Sequence, residues 1–240
     1  MVAIRSEPGV AANARYAIYF VPAADTALYR FGAAALGYDS FTGADIPTFD
    51  ALPVDAGTWR DLTHEPRRYG FHATLKAPFR LAAGRTEAEL IGELEKFAAT
   101  IDVAPAIEPA VRLLQRFIAI VPAAPAPGVG KLAASCVMHF DAYRAPLDDA
   151  DHNRRLAVHL TARQAEYVER WGYPYVFDEF RFHLTLTAAL AADIQRSVLA
   201  YLQDGFSRSH EGPIAIDRLA LLRQDGLNGR FVVIVDAPIG

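Results

Sequence analysis

The feature that most constrains the fold of this 240-residue chain is an internal repeat of one strand, one helix and two strands. In the first unit, these four elements are predicted over residues 69–79, 86–99, 107–114 and 117–121. In the second unit, they are predicted over residues 182–187, 192–202, 214–222 and 230–235. Because there are only two copies, the repeat predicts an α+β fold of two related lobes rather than a solenoid.

The segments outside the repeat carry weaker patterns. We expect residues 1–14 to form a flexible tail and residues 15–240 to form a single domain with two pseudo-symmetric lobes. Further patterns predict a strand over 15–22, a helix over 28–36, and helical segments over 128–143 and 148–172. Residues 38–66 are rich in Gly, Pro, Asp and Thr, which predicts a long surface loop, and loops of that length are often functional.

Each repeat unit begins with the same five-residue motif. The two copies are Phe71-His72-Ala73-Thr74-Leu75 and Phe182-His183-Leu184-Thr185-Leu186. In a strand, alternate side chains point to opposite faces. The apolar residues of each motif are therefore expected in the core, while the opposite faces present two groups of polar side chains: His72, Thr74 and Lys76 in the first, and Arg181, His183, Thr185 and Thr187 in the second.

These residue types fit acid–base chemistry at a phosphoryl group. Histidine titrates near neutral pH, so two imidazoles across a cleft can act as general base and general acid. Two threonine hydroxyls can donate hydrogen bonds to phosphoryl oxygens. Further substrate contacts are expected from Lys76, Arg181, Thr187 and Tyr175. No convergent carboxylates accompany the motifs, so neither a metal nor another cofactor is expected.

A third His-x-Thr sequence, His159-Leu160-Thr161, calls for a different interpretation. Thr161 is followed three residues later by Gln164 and then by a helical pattern, which is the signature of a capping box. Thr161 is therefore predicted to cap a helix, and His159 to lie at the edge of that helix. The single cysteine, Cys136, lies in an apolar helical stretch and is predicted to be a core residue.

Composition narrows the classes of partner. The net charge of −4 argues against a surface dedicated to long nucleic acid, and a single cysteine allows no internal disulfide. No stretch reaches the roughly 20 apolar residues of a membrane span. We therefore expect a cytoplasmic monomer that takes a small phosphorylated substrate, with an RNA end as the alternative, and has neither DNA nor a membrane as its partner.

At its paired motifs the sequence resembles the 2H phosphoesterase superfamily, which is defined by two His-x-Thr motifs on pseudo-symmetric lobes. Longer stretches resemble one branch of it, the DUF1045 family of phosphonate-metabolism proteins. The similarity extends from about residue 15 over nearly the whole chain. The stretches that carry it are residues 15–20, 67–80, 141–147 and 171–183.

The resemblance implies a duplicated, LigT-like α+β fold in which two antiparallel sheets line a central cleft and helices pack outside. It also implies metal-independent hydrolysis of a cyclic phosphodiester, a small ribosyl cyclic phosphate in phosphonate catabolism. His72 and His183 would be the acid–base pair, with either one as the base, and Thr74 and Thr185 would hold the phosphate. Two alternatives stay open: an enzyme acting on 2′,3′-cyclic RNA ends or 2′–5′ linkages, and a protein that binds a phosphorylated ligand without turnover.

Overall fold

The computed structural model describes residues 13–156 and 159–240 as a mixed α/β structure with antiparallel sheets. The strands are β1 (Arg15–Phe20), β2 (Tyr38–Asp39), β3 (Ala44–Asp45), β4 (Ala73–Phe79), β5 (Ala106–Ile107), β6 (Pro109–Leu114), β7 (Phe117–Pro122), β8 (Leu184–Thr185), β9 (Ile214–Ala215), β10 (Arg218–Gln224) and β11 (Val232–Pro238). The α-helices are α1 (Ala27–Leu36), α2 (Ala56–Arg67), α3 (Glu87–Ala98), α4 (Pro127–His139), α5 (Asp149–Leu156), α6 (Ala162–Trp171) and α7 (Gln195–Ser209). Short 3-10 helices follow at Phe140–Tyr143 and Phe177–Glu179.

The two main sheets combine strands from both repeat units. The four-stranded sheet has the order β11-β10-β1-β4, so the first motif strand lies in the same sheet as the hairpin of the second unit. The three-stranded sheet has the order β6-β7-β8, so the second motif strand pairs with the hairpin of the first unit. The predicted order of elements is present in both units, and neither unit forms either main sheet by itself.

Further contacts also join elements of one repeat unit to elements of the other. The short strands β5 and β9, which precede the two hairpins, pair with each other in an antiparallel ladder. Helix α3 of the first unit packs on β10 and β11, and helix α7 of the second unit packs on β6. Both helices bury an apolar stripe, which is Leu90, Leu94 and Ala98 in α3 and Val198, Leu202 and Phe206 in α7. Each unit therefore completes the core of the other.

The segment predicted as a long loop contains regular structure, which corrects that expectation for residues 38–66. Strands β2 and β3 form a small antiparallel pair, and helix α2 begins after Asp55, whose side chain accepts a hydrogen bond from the backbone N–H of Thr58. The indole N–H of Trp59 donates to the carbonyl of Ala35 at 3.0 Å, which fixes α2 against α1. The helix was missed because its buried stripe is narrow and Pro66 lies inside it.

Both motif strands are shorter than the sequence predicts. Strand β4 begins at Ala73 instead of residue 69, and β8 is limited to Leu184–Thr185. Each histidine therefore lies one residue before its strand. The apolar positions of both motifs are buried as expected: Phe71, Ala73, Leu75, Phe182, Leu184 and Leu186.

Two further expectations concern the N-terminal tail and membrane-spanning segments. The predicted tail falls mostly on residues 1–12, which lie outside the described residues, while Ala14 is already buried. Among the helices that the structure describes, none is both long and apolar enough to cross a membrane.

The packing of α1 on the first motif generates a stability prediction. A Cβ atom built on Gly32 would lie 2.1 Å from the ring of Phe71, whereas nothing lies within 4 Å of a Cβ atom built on Gly92 in α3. Gly32→Ala is therefore expected to lower the free energy of unfolding by about 1–3 kcal/mol through overpacking. Gly92→Ala should raise it by about 0.5–1 kcal/mol, since alanine is the better helix former.

Urea denaturation of the wild type and both variants measures this difference. Equal stability of Gly32→Ala and Gly92→Ala would show that the close approach of α1 to Phe71 carries no packing constraint.

Candidate active site

The two motif histidines are oriented by the same local hydrogen bond. Nδ1 of His72 lies 2.8 Å from the carbonyl oxygen of Gly70, and Nδ1 of His183 lies 2.7 Å from that of Arg181. A carbonyl oxygen can only accept, so Nδ1 carries the proton and donates in both rings. The opposite nitrogen, Nε2, therefore keeps its lone pair in the neutral form and is the atom available for proton transfer.

Both rings line one open pocket with a volume of about 300 Å³. Thr185 lines the same pocket, and Oγ1 of Thr74 lies 3.3 Å from Nε2 of His72. The pocket thus brings together His72, His183 and Thr185 from distant parts of the chain, with Thr74 directly beside the first ring. We call it the histidine pocket.

The two imidazoles have different surroundings. His72 stacks on Tyr19 with ring centroids 3.9 Å apart and planes 24° apart, and Tyr69 lies at 6.0 Å. His183 packs against the edge of Phe117, with ring centroids 5.9 Å apart. Burial is the main cause that lowers the pKa of His72 to about 4; the bond to Gly70 partly opposes it, and repulsion from His183 adds to it. His72 is therefore neutral over most of the physiological range.

Lys76 and Arg181, expected as positive charges beside the histidines, do not line this pocket. Lys76 pairs with Ile18 while Thr74 pairs with Tyr19, so a bulge in β4 breaks the alternation that would place Lys76 with His72. Its Nζ donates to the carbonyl of Val137 at 3.0 Å. Arg181 is exposed, and its guanidinium donates to backbone carbonyls on its own loop.

The remaining expected substrate contacts are also placed by the structure. Thr187 lines the pocket, but its Oγ1 accepts the backbone N–H of Ile118 at 3.0 Å, which gives it a structural role. Tyr175 does not line the pocket; its ring is 43% exposed and packs edge-on against Tyr173. Thr161 and Gln164 form both hydrogen bonds of the predicted capping box, which confirms that interpretation.

Sequence reasoning missed several residues that shape the pocket. Tyr19 and Tyr69 pack against His72, Phe117 packs against His183, and Glu65 and Pro66 contribute the end of α2 to the lining. Two of these residues are weakly indicated by the sequence. Tyr69 lies two residues before the first motif, and Phe117 begins β7, the strand that pairs with β8. Tyr19 lies in a stretch that carries the family resemblance, but no pattern assigned either Tyr19 or Glu65 to the site.

The arrangement can move two protons without displacing either ring. A neutral His72 can accept a proton at Nε2, and a protonated His183 can donate one at the same atom, while threonine hydroxyls donate to an anionic oxygen between them. Cys136 does not contribute a nucleophile, because it is fully buried and burial raises the pKa of its thiol to about 12. Within residues 13–156 and 159–240, no three His, Cys, Asp or Glu side chains are grouped as a metal site.

Comparison with curated proteins gives two relatives of the same name. The chain is 36% identical over 222 residues to a ribose 1,5-bisphosphate phosphokinase PhnN of Janthinobacterium sp. (strain Marseille), covering 91% of this chain and 49% of that protein. It is 37% identical over 182 residues to the protein of that name from Laribacter hongkongensis (strain HLHK9), covering 73% and 40%. The chain therefore spans about half the length of these relatives or less.

A protein-family model provides the broader assignment. The model described as "Protein of unknown function (DUF1045)" matches residues 74–232, about two thirds of the chain. This match includes Thr74, His183 and Thr185, and it begins two residues after His72. It also spans strands of both main sheets, from β4 to the start of β11. On this match, the chain belongs to the DUF1045 family.

Proposed function

We propose that this protein hydrolyses a cyclic phosphodiester, with His72 as general base and His183 as general acid. The observation that carries the proposal is the pair of imidazoles in one pocket, each donating from Nδ1 to a backbone carbonyl, so that Nε2 is the nitrogen that can exchange a proton. Without substrate, the hydroxyl of Thr74 donates to Nε2 of His72 at 3.3 Å. A ligand-binding protein would need no such matched pair, since phosphate can be held by hydroxyl and amide donors alone.

The roles follow from the surroundings of the two rings. Neutral His72 accepts a proton from water as the water oxygen attacks phosphorus. The bond from phosphorus to the ring oxygen breaks, and protonated His183 donates its proton to that leaving oxygen. Thr74 and Thr185 donate hydrogen bonds to the non-bridging oxygens. The product is a phosphomonoester with one free sugar hydroxyl, so atoms and protons balance.

The substrate class is inferred from the pocket and from the comparisons. Among the described residues the lining contains no lysine or arginine, which disfavours a dianionic phosphomonoester more than the single negative charge of a cyclic diester, and a volume of about 300 Å³ suits a sugar. The relatives are named for ribose 1,5-bisphosphate, and the sequence resembles the phosphonate-metabolism branch. We therefore propose a ribosyl cyclic phosphate from phosphonate breakdown as the substrate.

The kinase activity in the names of the relatives is not proposed for this chain. The chain spans about half of the Janthinobacterium protein, so that name can describe the other half. The 240 residues contain no G-x-x-x-x-G-K-[ST] sequence; Gly130-Lys131 is followed by Leu132. That motif is the one in which backbone amides and a lysine hold nucleotide phosphates.

Hydrolysis of a substrate panel tests the proposed reaction. His72→Ala and His183→Ala are each expected to lower turnover about 10²–10⁴-fold, the typical contribution of one acid–base group. His159→Ala is the matched control, because His159 lies in the third His-x-Thr sequence and is exposed. The panel contains ribose cyclic phosphates, 2′,3′-cyclic nucleotides, a short RNA with a cyclic end and a 2′–5′-linked dinucleotide, each with and without EDTA.

Faster turnover of the RNA substrates than of the sugars would favour the RNA alternative. Ligand binding without turnover of any of them would favour a binding protein, and loss of activity in EDTA would contradict a metal-independent mechanism.

The acidic limb of the pH profile tests the assignment of the base. His72 is competent only while neutral, so kcat/KM is expected to fall as the pH drops through about 4 instead of 6.5. Tyr19→Leu removes the stacked ring and admits water, which should move this limb to higher pH. NMR titration of the His72 ring assigns the transition. A limb near 6.5 that follows His72 would contradict the proposed protection of this imidazole.

Thr185 of the second motif and Thr187, one residue after it, should separate substrate binding from stability. Thr185→Val is expected to lower kcat/KM with little change in the free energy of unfolding, since Thr185 lines the pocket. Thr187→Val should lower the free energy of unfolding by about 1–3 kcal/mol, because it leaves a buried backbone N–H without its acceptor. Kinetics and urea denaturation of both variants measure the contrast, and equal effects on both quantities would contradict it.

A further inference from the structure

Pro66 changes the hydrogen bonding of the last turn of α2. It lies inside the helix, is buried and lines the histidine pocket. In a helix, each backbone N–H donates to the carbonyl four residues earlier, but proline has no N–H. The carbonyl oxygen of Leu62 therefore receives no hydrogen bond from residue 66. Because Leu62 is buried, this oxygen needs a donor from elsewhere in the protein.

That donor comes from the turn after the second motif. The backbone N–H of Ala188 donates to the carbonyl oxygen of Leu62 at 2.6 Å, and we call this contact the Leu62–Ala188 hydrogen bond. Ala188 follows Thr185 by three residues, and both line the histidine pocket together with Pro66. The hydrogen bond therefore joins the end of α2 to the second motif along the wall of the pocket.

The turn after the second motif lies beyond the end of its strand. Strand β8 is limited to Leu184–Thr185 and lies at the edge of its sheet. Directly after it, the N–H groups of Leu186 and Thr187 share one acceptor, the carbonyl oxygen of Ile118, at 2.9 and 3.2 Å. The next N–H is that of Ala188, and it bonds to α2 instead of β7. The position of this turn therefore depends on α2.

The same end of α2 leads directly into the first motif. The carbonyl oxygen of Pro66 accepts a hydrogen bond from the N–H of Tyr69 at 3.1 Å. The next carbonyl oxygen, that of Arg67, accepts one from the N–H of Gly70 at 3.3 Å. The carbonyl of Gly70 in turn accepts the proton on Nδ1 of His72. These short-range contacts hold the first imidazole in a fixed position relative to the helix end.

The end of α2 thus contacts both motifs, which no strand pairing joins directly. Strands β4 and β8 lie in different sheets. The separation of His72 and His183 therefore depends on this helix end. The separation matters for the proposed reaction, because both imidazoles must reach one substrate. An error of about 1 Å in the position of a reacting group can lower a rate about 10²-fold.

We propose that Pro66 is a positioning residue for the proposed reaction. By leaving the carbonyl of Leu62 to Ala188, it fixes the second motif against the helix end that leads into the first, and so it sets the spacing of the two Nε2 atoms. The inference rests on the proposed function for its effect on turnover, but the Leu62–Ala188 hydrogen bond can be tested without a substrate.

Two replacements of Pro66 separate the missing N–H from the proline ring. Pro66→Ala restores a backbone N–H that competes for the carbonyl of Leu62, and alanine is the residue most favourable to a helix. Lactic acid at position 66 has the side chain of alanine but an ester oxygen in place of the N–H, so it leaves that carbonyl to Ala188.

Amide hydrogen exchange followed by NMR measures the Leu62–Ala188 hydrogen bond directly. The amide of Ala188 should exchange at least about tenfold faster in Pro66→Ala, because its acceptor is then shared. In the lactic acid variant, this amide should exchange as it does in the wild type. Pro127→Ala is the matched control and should leave the exchange unchanged, since Pro127 begins α4, where a helix needs no N–H.

Kinetics of the same variants test the effect on the reaction. With the substrate of the panel that the wild type prefers, Pro66→Ala is expected to lower kcat about 10- to 100-fold and to change KM less. The reason is that the spacing of two proton-transfer groups matters most in the transition state. The lactic acid variant and Pro127→Ala should both retain the kcat of the wild type.

Three results would overturn the inference. Unchanged exchange of the Ala188 amide in Pro66→Ala would show that the hydrogen bond does not depend on the missing N–H. Equal losses of kcat in Pro66→Ala and the lactic acid variant would show that the proline ring is responsible. Faster exchange without a fall in kcat would show that the hydrogen bond does not position the site.

Failure of the proposed function has a different signature. If the wild type hydrolyses no compound of the panel, the proposed reaction is wrong and Pro66 positions no acid–base pair for it. The exchange of the Ala188 amide would still report whether Pro66 leaves the Leu62 carbonyl to the second motif.

Discussion

Strand β1 holds the two repeat units together, because its backbone is paired on both edges. All six of its residues are buried, so its N–H and C=O groups need partners from the protein. Strand β4 of the first unit pairs along one edge, and β10 of the second unit pairs along the other. The same strand carries Tyr19 against His72. The fold and the histidine pocket therefore depend on this one pairing.

The same local hydrogen bond orients both motif histidines, but the two rings have different surroundings. In each motif, a backbone carbonyl two residues before the histidine sets the tautomer, since it accepts from Nδ1. Packing against Tyr19 desolvates the first imidazole, whereas the second packs against the edge of Phe117. In the proposed mechanism the inequality matters because a base and an acid are needed at the same pH, and two identical imidazoles would compete for the same role.

Signals that act over a few residues predicted much of the fold and the centre of the site. The capping box at Thr161 and Gln164, the helix end at Gly37 and the buried alternation around both motifs all depend on near neighbours in the chain. The sequence did not predict helix α2, because its apolar stripe is weak. The hydrogen bond that fixes its position joins Trp59 to Ala35, which are far apart in the chain.

By itself, the sequence determined that two His-x-Thr motifs recur at the start of matching units, because a repeated motif is a property of the chain alone. Only the tertiary structure decided that the units exchange strands, that a bulge turns Lys76 away from His72, and that Tyr19 covers one imidazole. These outcomes depend on residues far apart in the chain, and no local pattern records them.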